Sequence, residues 1–259
     1  MQSSCAEILA QVSDRVLEIT IDRPERKNAL TMAMYSAMAE LLNGAADNAE
    51  VRAVIISGTQ GVFTSGNDLM DFLGGSASSA DSPVFQFMLA LYNFPKPVVA
   101  AVNGPAVGIG TTMLLHCDMA FAGSDAMFQM PFVNLGLCPE YASSYFLPRL
   151  VGHARASELL LLGKKFGAEE AAELGICNAA VAADEALDRA RAAAAELAGQ
   201  APEAVRLTKQ LLRKGTQQVG MEVIRGEAGH FQQRLVSEEF KEAATAFMEK
   251  RPADFSRFE

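Results

Sequence analysis

Two unbroken apolar runs constrain this chain more than any other feature. Val51–Gly58 (VRAVIISG) and Pro95–Gly104 (PKPVVAAVNG) do not alternate apolar with polar residues, so each predicts a strand buried on both faces. Each run leads into a glycine-punctuated loop, Gln60–Leu69 (QGVFTSGNDL) and Asn103–Gly110 (NGPAVGIG). Helical stretches lie between the runs. Thr31 is placed to cap a helix over MAMYSAMAELLNGAA that ends near Gly44, and SPVFQFMLALYNF is amphipathic. Upstream, Glu7–Asp22 holds two β-rich segments around a turn at Ser13-Asp14-Arg15. Strand, glycine loop and helix therefore recur, which is an α/β plan with crossovers.

The chemistry concentrates between Asn103 and Glu140. The glycine turn NGPAVGIG opens this stretch, and the apolar run TTMLLHCDMAFA predicts a buried helix too short to span a membrane. Pro139-Glu140 closes it, with the acid at an apparent helix start. Backbone donors at one end and a lone acid at the other are the parts needed to hold a carbonyl and move a proton beside it. Pattern alone leaves a second reading open, in which Glu140 only complements a helix dipole. Asp68 is placed to cap a helix, and Gly74–Ser82 (GGSASSADS) predicts a mobile surface loop. From about Ala183 onward the pattern is helical, with a break near Ala201-Pro202 and a long helical run from about Gln217 to Lys250.

Several classes of function are disfavoured. A net charge of −9 argues against nucleic acid or an anionic membrane as the main partner. Cys5, Cys117, Cys138 and Cys177 form no CxxC pair and share no ligand spacing with His116, His153 and His230, which disfavours structural zinc and disulfides and fits a reducing compartment. The first residues lack a signal-peptide pattern and the final SRFE is not a peroxisomal signal, so a cytoplasmic location is expected. Neither glycine loop is a Walker A or a dinucleotide fingerprint, and no nucleophile elbow surrounds Ser65. His116, inside the apolar run, fits a satisfied core histidine better than a base.

Taken together, IDRPERKNAL, FTSGNDL, PKPVVAAVNGPAVGIG, CDMAFA, FQMPFVNLGLCPE, LPRLVG, AAELGICNAAV and AFMEKR resemble the crotonase superfamily, also called the enoyl-CoA hydratase/isomerase family. They run in the family's order across nearly the whole chain. The resemblance implies an α/β crotonase fold, with a core of repeated ββα turns over residues 1–200 and a helical region over 201–259 that makes a homotrimer or hexamer. It implies an acyl-CoA thioester as substrate, with coenzyme A part of that substrate and no separate cofactor. The thioester oxygen would be held by the backbone N–H groups of Ser65 and Ile109. The CoA portion would lie along Lys27 to Ala29 and along Ser65, Gly66, Asn67, Asp68 and Leu69, with Gly108 and Phe132 also at the substrate. Phe247 and Lys250 would reach the nucleotide end, in their own or a neighbouring subunit.

Departures from the family's pattern point to the reaction. Hydratases of the family carry two glutamates; Thr112 and Phe132 stand at those places here. Glu140 in LCPEYASSYFLP instead resembles the single catalytic glutamate of peroxisomal-type Δ3,Δ2-enoyl-CoA isomerases. The expected activity is movement of a 3-enoyl double bond to the trans-2 position, in fatty-acid β-oxidation, with Glu140 in an apolar pocket lined by Phe132 and Leu137. The alternatives are an atypical hydratase or other CoA-enolate enzyme using Glu140, and a non-catalytic acyl-CoA-binding module.

Overall fold

A computed structural model describes residues 1–68 and 82–258 of the chain. Leu69 and most of the segment Gly74–Ser82 lie outside the described residues. The first hairpin pairs β1 (Ile8–Ser13) with β2 (Val16–Ile21), and its turn places Asp14 and Arg15 at φ 49° and 65°. Such a left-handed pair matches the twist of the strands it joins. Helix α1 (Met32–Ala46) follows, capped by the Thr31 hydroxyl, which accepts from Met34 N at 3.3 Å. It runs through Gly44 rather than stopping there, because its buried face continues to Ala45. Next come β3 (Ala53–Gly58), α2 (Pro83–Tyr92) and β4 (Val98–Val102). Ser82 caps α2 and Pro83 occupies its first turn, where no N–H is required.

The two apolar runs become β3 and β4, buried at every position. Alternate residues serve two cores. Val54, Ile56, Val98 and Ala100 face α1 and α2, whereas Ala53, Ile55, Val99 and Ala101 face Ala190 and Ala194 of α7 (Ala186–Gly199). Helices on both sides are what an all-apolar strand requires. Among the described residues, the main sheet has the order β1-β2-β3-β4-β6-β9, with β6 at Met119–Gly123 and β9 at Ala179–Val181, and is parallel apart from the first hairpin.

The run TTMLLHCDMAFA does not form one helix. It divides into a short helix α3 (Ile109–Thr112), a 3₁₀ turn over Met113–His116, and the strand β6 (Met119–Gly123). Asp118 accounts for the break. Its carboxylate accepts from Val98 N at 2.7 Å and meets Lys209 Nζ at 2.7 Å, which pins the chain at the start of β6 beside β4. A smaller sheet holds β5 (Ala106–Val107), β7 (Met127–Gln129) and β8 (Phe166–Gly167). Helices α4 (Ser143–Val151), α5 (His153–Leu161) and α6 (Ala168–Glu173) and strand β9 (Ala179–Val181) lead to α7. The last helices are α8 (Pro202–Arg213), α9 (Gln217–Leu235) and α10 (Glu238–Met248). The expected run from Gln217 to Lys250 is interrupted at Val236, after which Ser237 caps α10 by accepting from Phe240 N at 3.2 Å. No helix among the described residues is long and apolar enough to cross a membrane.

Candidate active site

Polar side chains knit three segments distant in sequence into one floor. Asn28 is buried, donates to Val62 O at 2.7 Å and accepts from Arg23 N at 2.8 Å. Thr64 Oγ1 donates to Asn28 O at 2.6 Å, Leu30 N to Gly66 O at 2.8 Å, and Asp68 N to Leu30 O at 2.9 Å. Lys27–Leu30 thus runs parallel to Ser65–Asp68, which brings together the residues expected to line the CoA path. Arg23 Nη1 clamps this pair, donating to Ala29 O at 2.9 Å and to Asp68 Oδ2 at 2.7 Å. Asp68 is therefore engaged by a cation, and the helix it was expected to cap lies outside the described residues. On the other side, Val107 N donates to Thr64 O at 2.9 Å, so the second glycine loop packs against the first. Gly66 makes this approach possible. Its φ is +91°, and a Cβ there would stand 2.9 Å from Val107 O.

The expected pair of oxygen-holding donors is only half available. Ile109 is the first residue of α3, is 1% exposed, and its N–H has no acceptor among the described residues. The turn is closed by Thr111 N and Thr112 N on Gly108 O. An orphan donor at a buried helix start is suited to an oxyanion. The Ser65 N–H, by contrast, donates to Lys27 O at 3.0 Å and is used up within the protein. Asn67 N–H, two residues on, finds no acceptor among the described residues. The cause is the pairing with Leu30, which engages Gly66 O and Asp68 N and turns the N–H between them away.

Asn67 and Glu140 both line a cavity of about 50 Å³. Its apolar wall comes from Val84, Phe85 and Met88 of α2 and from Ile224 and Phe231 of α9. Among the described lining residues, Glu140 is the sole carboxylate. Phe132 and Leu137, expected in this wall, are buried but do not line the cavity. Phe132 stands behind Phe231, ring centroids 6.4 Å apart, and supports it edge to face. Phe247 and Lys250, at the end of α10, are exposed and do not line the cavity.

Glu140 is 5% exposed, and Thr112 Oγ1 donates to its Oε1 at 2.5 Å. Burial pushes its carboxyl up to about 8, the Thr112 hydrogen bond opposes this, and the nearby Glu227 adds to it. Glu140 does not begin a helix. Tyr141 and Ala142 follow in left-handed conformation at φ 58° and 54°, and α4 starts at Ser143. Two such non-glycine residues cost roughly 1–2 kcal/mol each. Hydrogen bonds hold the elbow from several sides: Ser143 Oγ donates to Glu140 O at 2.7 Å, and His116 Nε2 donates to Tyr141 O at 2.7 Å. His116 is the satisfied core histidine expected, neutral because burial lowers its pKa to about 3.

Sequence reasoning missed Tyr35, whose hydroxyl bonds Asn67 Oδ1, and the whole contribution of α9. The signal for α9 was present. Ile224, Glu227, Ala228 and Phe231 recur at helical spacing and include an acid within an otherwise apolar stripe. The four cysteines are free, and burial raises Cys117 and Cys177 to about 12, so both are inert thiols.

A family model described as enoyl-CoA hydratase/isomerase matches residues 11–257. A probable enoyl-CoA hydratase of Rhodobacter capsulatus is 36% identical over 95% of this chain and 96% of its own length. Enoyl-CoA delta isomerase 2 of Rattus norvegicus is 34% identical over 95% of this chain and 64% of its own. The solved structure of Pseudomonas aeruginosa OdaA superposes with a TM-score of 0.92 at 50% identity, covering 94% of this chain and 99% of that one.

Proposed function

This chain belongs to the enoyl-CoA hydratase/isomerase family, and from that premise we propose that it moves the double bond of a 3-enoyl-CoA to the trans-2 position with Glu140 as the proton carrier. The observation that carries the proposal is that Glu140 is the one carboxyl among the described residues lining the apolar cavity, with the Thr112 hydroxyl donating to it. Hydration needs a held and activated water, whereas double-bond migration needs one base that reaches both C2 and C4. Glu140 takes a proton from C2, and negative charge grows on the thioester oxygen of the resulting dienolate. The N–H groups of Ile109 and Asn67 meet that charge, each worth about 3 kcal/mol in the transition state. Glu140 then returns the proton at C4, which leaves the conjugated thioester with no change in composition. A carboxyl with a pKa of about 8 is a stronger base than an ordinary glutamate, suited to a weakly acidic C2 proton.

The pantetheine and nucleotide of coenzyme A extend along Lys27, Ala29 and Ser65–Asp68 in this reading, with Phe247 and Lys250 serving a neighbouring subunit. Exposed leucines on α8, Leu207 at 54%, Leu211 at 59% and Leu212 at 80%, favour a homotrimer or hexamer in which that face is covered.

The test is conversion of 3-hexenoyl-CoA, followed by absorbance of the conjugated product. Wild type is expected to turn over, with Glu140→Gln reduced at least a hundredfold; a loss below tenfold would remove Glu140 from the mechanism. Hydration is the second reading, favoured by the similarity to a relative named as a probable enoyl-CoA hydratase. A product heavier by one water would establish it in place of isomerisation.

A further inference from the structure

A second buried carboxyl stands directly behind Glu140, and the proposed reaction gives it no part. Glu227 of α9 is 9% exposed. Its Oε2 accepts from Ala142 N at 2.5 Å, and its Oε1 accepts from Ser144 N at 3.1 Å and from the Ser144 hydroxyl. These three donors belong to the elbow and first turn that follow Glu140. A glutamate from a distant helix therefore does what a local N-cap would do for α4, which has no side-chain cap of its own. The partners of the two acids differ. Burial raises both carboxyls, but at Glu227 two N–H groups and a hydroxyl oppose it, whereas Glu140 has one hydroxyl donor among the described residues and an apolar cavity in front of it.

We propose that Glu227 is a positioning residue for Glu140: it closes the left-handed elbow at Tyr141–Ala142 and holds a negative charge behind the base, so that the proton of the pair resides on Glu140. This rests on the reading of Glu140 as the base. The groups around the pair leave the two acids as the ones that change charge between mildly acidic and mildly alkaline pH. Tyr35 on α1 and Tyr141 are pushed well above the usual tyrosine range by burial, the Cys138 thiol is pushed up as well, and His116 stays neutral. Arg213, facing His116 and Tyr141, and Arg234, facing Cys138, make no hydrogen bond to either acid among the described residues. Two interacting carboxyls in unlike settings titrate apart, with the proton on the less solvated one.

The test compares wild type, Glu227→Gln and Glu227→Ala, each with and without Glu140→Gln. Thermal unfolding from pH 5 to 10 gives the midpoint at which Glu140 titrates, independently of any reaction. Removing the charge while keeping an acceptor for Ala142 N, as E227Q does, is expected to move that midpoint down by at least about half a pH unit. The rising limb of kcat/KM on 3-hexenoyl-CoA moves down in pH with it. E227A, which also frees the elbow, is expected to lower kcat about tenfold or more with little change in KM. An unmoved midpoint in E227Q overturns the proposal, as does E227A with wild-type kcat across the pH range. If E227A does not fold, the E227Q midpoint decides alone. If wild type shows no isomerase activity, the reading of the reaction falls, and the stability cycle still decides on Glu227.

Discussion

At the scale of the residue, the carboxyl of Glu140 joins reactivity to stability. An unfolded glutamate titrates near 4.5, and Glu140 in the fold near 8. Between those values the folded state holds the proton more tightly than the unfolded one, so stability falls as pH rises and the full penalty is present above about pH 8. The difference corresponds to roughly 5 kcal/mol as an upper figure. Glu140→Gln, which cannot ionise, is therefore expected to be more stable than wild type at pH 9 and equal to it near pH 4, by thermal unfolding. Thr112 acts in the opposite sense, since its hydroxyl favours the charged carboxylate. Thr112→Val is expected to move the rising limb of the kcat/KM profile to higher pH and to lower the rate several-fold at pH 7. A limb at the wild-type position would show that this hydrogen bond does not tune the base.

At the scale of the element, the two glycine loops matter through backbone geometry. The N–H groups of Asn67 and Ile109 find no acceptor among the described residues, whose pairing engages their neighbours instead, Gly66 O and Asp68 N with Leu30 and Gly108 O with the start of α3. Gly66 sits at φ +91° with Val107 O close to the position of a Cβ, so Gly66→Ala meets both backbone strain and a clash. A loss of about 2–3 kcal/mol in urea unfolding is expected, with kcat falling more than KM rises because the Asn67 donor moves. An unchanged kcat would argue that Asn67 N–H does not meet the substrate oxygen. The strands of the core were legible from the sequence, and so were the first hairpin and the cap at Thr31, because each follows from local periodicity or a short-range bond. The run TTMLLHCDMAFA was not legible. Its apolar content suits helix or strand, and the choice was made by Asp118, whose partners lie 20 and 91 residues away.

At the scale of the whole molecule, the helical end of the chain is part of the site. Helix α8 is fastened to the sheet by Lys209, which donates to Lys96 O at 2.6 Å and to Asp118 Oδ2 at 2.7 Å, and by Arg213, which donates to His116 O at 2.5 Å. Helix α9 then returns across the cavity with Ile224 and Phe231. Asp118→Ala leaves the Lys209 ammonium buried and unpaired by any carboxylate, and a cost of about 3 kcal/mol is expected in denaturant unfolding. A cost below about 1 kcal/mol would mean that the fastening contributes little to holding α8. The joint substitution Leu211→Asp and Leu212→Asp is expected to yield a monomer by sedimentation, and retention of a larger assembly would place the interface elsewhere.

By itself the sequence determined the buried strands and the two glycine loops, and it marked Glu140 as an acid among apolar residues, since all three are expressed in residue types at short spacing. Unbroken Val, Ile and Ala runs have to be covered on both faces, and a lone glutamate among apolar residues stands out wherever the chain goes. Only the tertiary structure decided which N–H groups remain unpaired, that Glu140 precedes a left-handed elbow instead of opening a helix, that Phe231 and not Phe132 faces it, and that Glu227 stands behind it. These are properties of pairs of residues, and the bonds that set them join Lys27 to Ser65, Thr112 to Glu140 and Ala142 to Glu227. Hydrogen bonding and desolvation act over a few ångströms of space, so groups far apart along the chain influence one another only once the fold has brought them together.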